Sequence, residues 1–203
     1  MEPLKTIASP AIPLALANVD TDQLIPARFM KRPRAAGYGG FLLHDLREAA
    51  VARGGADPLG DPRRAGAAIL VARRNFGSGS SREAAVYALA DFGLRCIVAP
   101  SFGDIFASNA VKNGMLPARV AEADAEALLA SLTLIDGRDV AVDLAAQTIV
   151  AGNLVVPFAI DPVWKTQLLN GWDDIDLTLA QAPAIARFRA ADAEARPWAR
   201  LPG

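Results

Sequence analysis

The densest run of chemistry-bearing side chains is Arg73-Arg74-Asn75-Phe76-Gly77-Ser78-Gly79-Ser80-Ser81-Arg82-Glu83. Serine hydroxyls next to a guanidinium fork suit an anion, and a carboxylate in particular, because the fork donates two parallel hydrogen bonds to it. Gly77 and Gly79 let the backbone turn tightly and come close to a ligand. Ser80 and Glu83 also have the S-x-x-E spacing of a helix capping box. A cap would account for Ser80 in structural terms alone, but it does not require Ser81 or Arg82.

Three better-known loop chemistries do not fit this run. Gly77-Ser78-Gly79-Ser80-Ser81-Arg82 lacks the third glycine of a dinucleotide fingerprint. No Gly-Lys-Ser/Thr completes a P-loop. The G-x-S-x-G nucleophile elbow is absent, and the sole histidine, His44, lies far upstream.

The elements around the run must position it. Ala67–Ala72 reads as a buried strand, Glu83–Phe92 as a helix ended by Gly93, and Cys96–Ala99 as a second buried strand, parallel to the first in a βαβ unit. The run therefore sits where a strand ends and a helix begins, the usual ligand position of an open α/β sheet. Asp104–Lys112 is expected to form a helix stopped by Asn113-Gly114, and Glu122–Ser131 another. Val140–Leu144, Thr148–Val150 and Leu154–Phe158 suggest a β-meander, and Val163–Leu169 and Leu177–Arg189 read as helices, with Pro183 at a start.

Upstream, the proline-punctuated Thr6–Leu16 suggests irregular or edge strands leading into a polar turn at Asn18-Val19-Asp20-Thr21-Asp22. Lys31–Gly40, with Lys31, Arg32, Arg34 and the nearby Arg28 beside Gly37, Gly39 and Gly40, favours a flexible loop over a packed element. Gly54–Gly66 reads as an exposed connection.

Composition narrows the function. The chain has 203 residues, 52% hydrophobic, enough for one well-buried core, and we expect a single domain over residues 1–203 with helices at its C-terminal end. A formal net charge of -1 offers no broad basic surface, which argues against nucleic acid as a partner. Apolar runs fall short of the ~18 residues of a membrane span. Ala11–Ala17 superficially resembles a signal-peptide core, but Pro10 and Pro13 bracket or interrupt it, so the expected location is cytoplasmic. A single cysteine, Cys96, and a single histidine exclude a metal site built from several Cys or His ligands.

Three segments carry a family resemblance. Asn75 to Glu83 is similar to the swivelling-domain motif of the aconitase superfamily. Asn18-Val19-Asp20-Thr21-Asp22-Gln23-Leu24-Ile25-Pro26 resembles a second hallmark, that of its isopropylmalate isomerase small subunits. Ala99-Pro100-Ser101-Phe102-Gly103-Asp104-Ile105-Phe106, followed by Asn113-Gly114-Met115-Leu116-Pro117, is a third match, and the three occur in family order.

The resemblance implies an α/β fold: a swivelling β/β/α three-layer domain with a parallel βαβ core and an additional meander. It implies a separate large subunit that holds a 4Fe–4S cluster through its own cysteines, with no metal bound by this chain. It further implies a hydro-lyase that interconverts 2-isopropylmalate and 3-isopropylmalate by dehydration and rehydration in leucine biosynthesis. A related hydro-lyase acting on another alkylmalate or on a maleate derivative such as citraconate is the alternative.

In the family mechanism the cluster's open iron acts as a Lewis acid on the leaving hydroxyl while a small-domain serine removes the neighbouring carbon's proton. Ser80 matches that base. Arg82 matches a carboxylate-binding arginine, Ser81 would assist in substrate binding, and Thr21 and Asp22 are further matching active-site positions, expected to take part in substrate binding. The loop after Pro26 sorts substrates in the family. Where many relatives carry Arg-Thr-Gly, this chain has Ala35-Ala36-Gly37, with Arg34 one place earlier as the candidate binding group. Ala84 likewise stands where a histidine is common.

Overall fold

The computed structural model describes residues 1–134 and 140–199. Its framework is two four-stranded sheets. The first is parallel and contains β2 (Ala11–Leu14), β3 (Ile69–Ala72), β4 (Cys96–Ala99) and β5 (Leu116–Arg119), in that order. The second is antiparallel and joins β1 (Thr6–Ser9), β6 (Val140–Asp143), β7 (Thr148–Ala151) and β8 (Leu154–Pro157).

The layering follows from the period of two along each central strand. Ile69 and Val71 of β3, with Cys96 and Val98 of β4, face a core shared with Ile7, Val140, Val142, Ile149 and Val156 of the antiparallel sheet. Leu70, Ala72, Ile97 and Ala99 point the other way, into a second core. There they meet α1 (Thr21–Leu24), α3 (Glu83–Phe92) and α4 (Asp104–Lys112) through side chains such as Leu24, Leu89 and Phe106. α5 (Glu122–Leu134) puts Leu128, Leu129 and Leu132 into the first core, against both sheets, while α1, α3 and α4 form the layer on the outer face of the parallel sheet. β3 and β4 are buried on both faces, which is why they read as continuous apolar runs.

The prolines mark the sheet edges. β2 carries Pro13 and β5 carries Pro117, and they are the two outer strands of the parallel sheet, where a missing N–H leaves no gap in a ladder. β5 was not apparent in the sequence, because four residues that include a proline give a weak strand signal. The expected parallel pairing of β3 with β4 is present, and α3, α4 and β4 have the expected bounds. Gly93, at φ 111°, ends α3 in the left-handed region. In the meander, Gly152 and Asn153 form the two-residue turn between β7 and β8.

Two expectations need correction. Residues 27–41 form three short 3₁₀ turns, the third of them packed on α3, and Tyr38 and Gly39 are buried. Glycine is required at position 39 because a Cβ there would lie 2.6 Å from the Asp91 backbone. The segment Gly54–Gly66 is largely exposed, but it carries the buried Arg64, whose guanidinium donates to the carbonyls of Ala11 and Leu132.

At the C-terminal end, α6 (Pro162–Asn170) stops at Gly171, and the single expected helix over Leu177–Arg189 is two helices. These are α7 (Asp174–Leu179), capped by Asp173, and α8 (Ala182–Ala195), with Pro183 in its first turn. The remaining helix, α2 (His44–Ala52), follows the 3₁₀ turns. Among the described residues, no helix is long and apolar enough to cross a membrane.

Candidate active site

Strands β2, β3 and β4 run parallel, so the segments that leave their C-terminal ends must share one edge of the sheet. Those segments are 18–26, 75–83 and 99–106. Gly77 N–H donates to the Val19 carbonyl at 2.7 Å and Thr21 N–H to the Ser78 carbonyl at 2.9 Å, stitching the first two together. Phe76 N–H donates to the Ser101 carbonyl at 3.0 Å and Gly103 N–H to the Phe76 carbonyl at 2.9 Å, which adds the third.

The backbone of the central loop is held in conformations that few residues accept. Asn75 has φ 62°, and its N–H donates to Ser101 Oγ at 2.8 Å while its side-chain amide donates to Asn18 Oδ1 at 2.9 Å. Gly77 has φ 72°, and a Cβ there would lie 2.1 Å from the ring of Phe106. Phe76, Phe102 and Phe106 pack edge-on and face-on beneath the loop, making a rigid apolar floor.

The candidate site residues lie in the same converging segments. Asp20 caps α1 through a capping box with Gln23, so the polar turn expected at 18–22 is in fact a helix start. Thr21, 2% exposed, lies under the loop. Its hydroxyl donates to the Ser80 carbonyl at 3.1 Å and sits 3.4 Å from Ser80 Oγ. Asp22, one residue on, accepts a hydrogen bond from Arg82 Nη1. Ser80 and Ser81 are exposed.

The capping box that the spacing of Ser80 and Glu83 would allow does not form. α3 begins later, with Arg82 at the cap position and no side-chain cap, and the Glu83 carboxylate accepts from Asn113 instead. Ser80 is therefore not consumed by the helix, and its hydroxyl stays at the surface of the loop.

Arg34 is not brought to this cluster. Its guanidinium donates to Asp91 at 2.6 and 3.1 Å and stacks 4.1 Å over the Tyr87 ring. The Asp91 bond is the main reason its pKa is raised. Asp91 belongs to the last turn of α3, and at 1.5 Å per residue it lies about 12 Å along the axis from the Glu83 end, where Ser80 and Arg82 sit.

Ser101 and Asn18, which sequence reasoning does not single out, hold Asn75 in its strained conformation. The sequence signal is an Asn or Ser two to four residues beyond the ends of β2, β3 and β4, the residue types that bond locally to backbone.

This chain does not fit a cluster site. Cys96 is fully buried at the start of β4, and burial pushes its thiol pKa up, away from the thiolate that a cluster needs. Among the described residues, the group of potential ligands is His44, Asp45 and Glu48, and Asp45 is already gripped by Arg28.

A swivelling α/β domain with a serine, an arginine and glycine turns at the C-terminal edge of its parallel sheet defines a class, and residues 1–123 match the family model for the aconitase C-terminal domain. The 3-isopropylmalate dehydratase small subunit of Shouchella clausii is 44% identical over 189 residues, covering 93% of this chain and 95% of that one. The corresponding small subunit of Teredinibacter turnerae is 41% identical over 196 residues, covering 92% and 91%. The chain belongs to the family of 3-isopropylmalate dehydratase small subunits. A crystal structure of 3-isopropylmalate dehydratase from Methanocaldococcus jannaschii shares the fold, with a TM-score of 0.64 at 23% identity over 90% of this chain and 98% of that one.

Proposed function

We propose that this chain is the small subunit of a 3-isopropylmalate dehydratase, and that it brings Ser80 and a carboxylate grip to an active site completed by a large subunit. The observation that carries this reading is that Ser80 and Arg82, from the segment after β3, are anchored by Thr21 and Asp22 from the segment after β2, with Ser80 left uncapped and exposed.

Ser80 acts as the base in dehydration. Its oxygen takes the proton from the carbon beside the one bearing the hydroxyl. The C–H electron pair becomes the new double bond, and the hydroxyl leaves with its own bonding pair. A 4Fe–4S cluster in the large subunit would supply the Lewis acid for that departure. In rehydration Ser80 returns the proton.

A serine alkoxide needs help to exist near neutral pH, and the positive guanidinium of Arg82 lies two residues away. Arg82 binds a substrate carboxylate, with Asp22 holding the guanidinium in place, and Ser81 adds a hydroxyl donor. Thr21 supports from below. Arg34 contributes to substrate choice from the 3₁₀ segment, once its contact with Asp91 yields to the substrate or partner.

The test is co-purification with the cognate large subunit without oxygen, followed by assay against 2-isopropylmalate, 3-isopropylmalate and other substituted malates. Activity confined to the complex and preferring the isopropylmalates is expected. Stoichiometric cluster absorption or turnover by the isolated chain would defeat the two-subunit reading.

A further inference from the structure

We infer that Thr21 is a positioning residue that fixes and tunes the Ser80 hydroxyl, and that it does not contact the substrate. The inference rests on the assignment of Ser80 as the base. Thr21 is 2% exposed, which leaves no surface for a ligand. Its carbonyl is taken by Ile25 N–H at 3.1 Å within α1, and its other two polar groups are directed at the loop. Its backbone N–H donates to the Ser78 carbonyl at 2.9 Å, its Oγ1 donates to the Ser80 carbonyl at 3.1 Å, and the same Oγ1 lies 3.4 Å from Ser80 Oγ.

The anchor is stiff and the loop fits closely on it. Asp20 and Gln23 lock the first turn of α1 with reciprocal side-chain bonds at 2.7 and 2.9 Å, so Thr21 is held on both sides. Gly79, at φ 97°, lies directly beside this anchor: a Cβ there would be in ordinary contact, 3.5 Å from Thr21 Oγ1. An exposed serine on a glycine-flanked turn would otherwise sample several rotamers.

A threonine hydroxyl has one hydrogen and two lone pairs. With Ser80 protonated, the Thr21 hydrogen rests on the Ser80 carbonyl and a Thr21 lone pair can receive the Ser80 hydrogen. With Ser80 ionised, rotation about the Thr21 C–O bond turns the same hydrogen towards the alkoxide. The buried hydroxyl thus orients the base in one state and stabilises its charge in the other, with no movement of the backbone.

The experiment uses the two-subunit, cluster-loaded enzyme with Thr21→Val, which keeps the shape and loses the hydroxyl, and Thr21→Ser, which keeps the hydroxyl. Thr21→Val is expected to lower kcat about 100-fold with KM nearly unchanged, and to move the pH at which kcat rises to a higher value. Thr21→Ser should restore most of kcat and the original pH profile. Adding Thr21→Val to Ser80→Ala should cost little beyond Ser80→Ala alone.

A rise in KM at constant kcat, or equal losses in Thr21→Val and Thr21→Ser, overturns the inference. So does a normal kcat in Thr21→Val while Ser80→Ala is inactive, a result that leaves the Ser80 assignment standing. A near-normal kcat in Ser80→Ala overturns both.

Discussion

Arg82 and Asp22, sixty residues apart in the chain, form a salt bridge that ties the segment after β3 to the segment after β2. The carboxylate orients one edge of the guanidinium and leaves its remaining donors available to an incoming anion. Arg82→Lys should therefore raise KM for the substrate, with a smaller fall in kcat, because an ammonium cannot bridge Asp22 and a substrate carboxylate in the same planar way. Steady-state kinetics of the complex decide this, and an unchanged KM would remove Arg82 from the substrate.

Ser80→Ala should leave folding, subunit association and cluster content intact. The structure gives Ser80 no helix-capping bond to lose, so the melting temperature of the isolated chain should stay within a degree or two of the parent. kcat should fall by roughly 10²–10⁴, the usual contribution of a positioned general base.

Arg34→Ala should change the ratios of kcat/KM among substituted malates more than it changes binding to the large subunit. The side chain braces Asp91 and Tyr87 at the surface of α3, and surface pairs of this kind add little to stability. Unchanged ratios across the panel would leave Arg34 as a brace only.

Gly77→Ala should be severe. The new methyl would meet the Phe106 ring, and the backbone has a positive φ, so the combined cost is about 2–5 kcal/mol. Gly40→Ala, whose Cβ would meet nothing within 4 Å, is the matched control. Thermal melts of the two variants should differ by several degrees, and a Gly77→Ala melt equal to the control would contradict the close packing of the loop on Phe106.

Asp57 accepts from Arg47 at 2.8 and 3.0 Å and from the Leu59 N–H at 2.9 Å, and the Arg47 bonds are the chief reason its pKa lies below the ordinary carboxylate value. A depressed folded-state pKa contributes stability that is complete above the unfolded value, about 4, and fades as the pH falls through the folded value. Asp57→Asn should thus melt below the parent at pH 7, and the gap should shrink as the pH drops below about 4. A gap that persists unchanged at pH 2–3 would mean that the charge is not its source.

The sequence alone determined the parallel unit of β3, α3 and β4, since continuous apolar strands and a glycine-stopped helix are local patterns with few alternative packings. It also placed Ser80 and Arg82 where a strand ends and a helix begins. The short β5 and the packed 3₁₀ turns escaped it, because what stabilises them is burial against β4 and α3, which local composition does not encode. Tertiary structure alone decided that Ser80 is not a cap, that Thr21 lies beneath it, that Asp22 meets Arg82, and that Arg34 is held by Asp91. The last three of these relations join residues 57 to 60 positions apart. They exist because the parallel sheet carries the ends of separate strands to one edge, and that convergence is a property of the packed strands and not of any one segment.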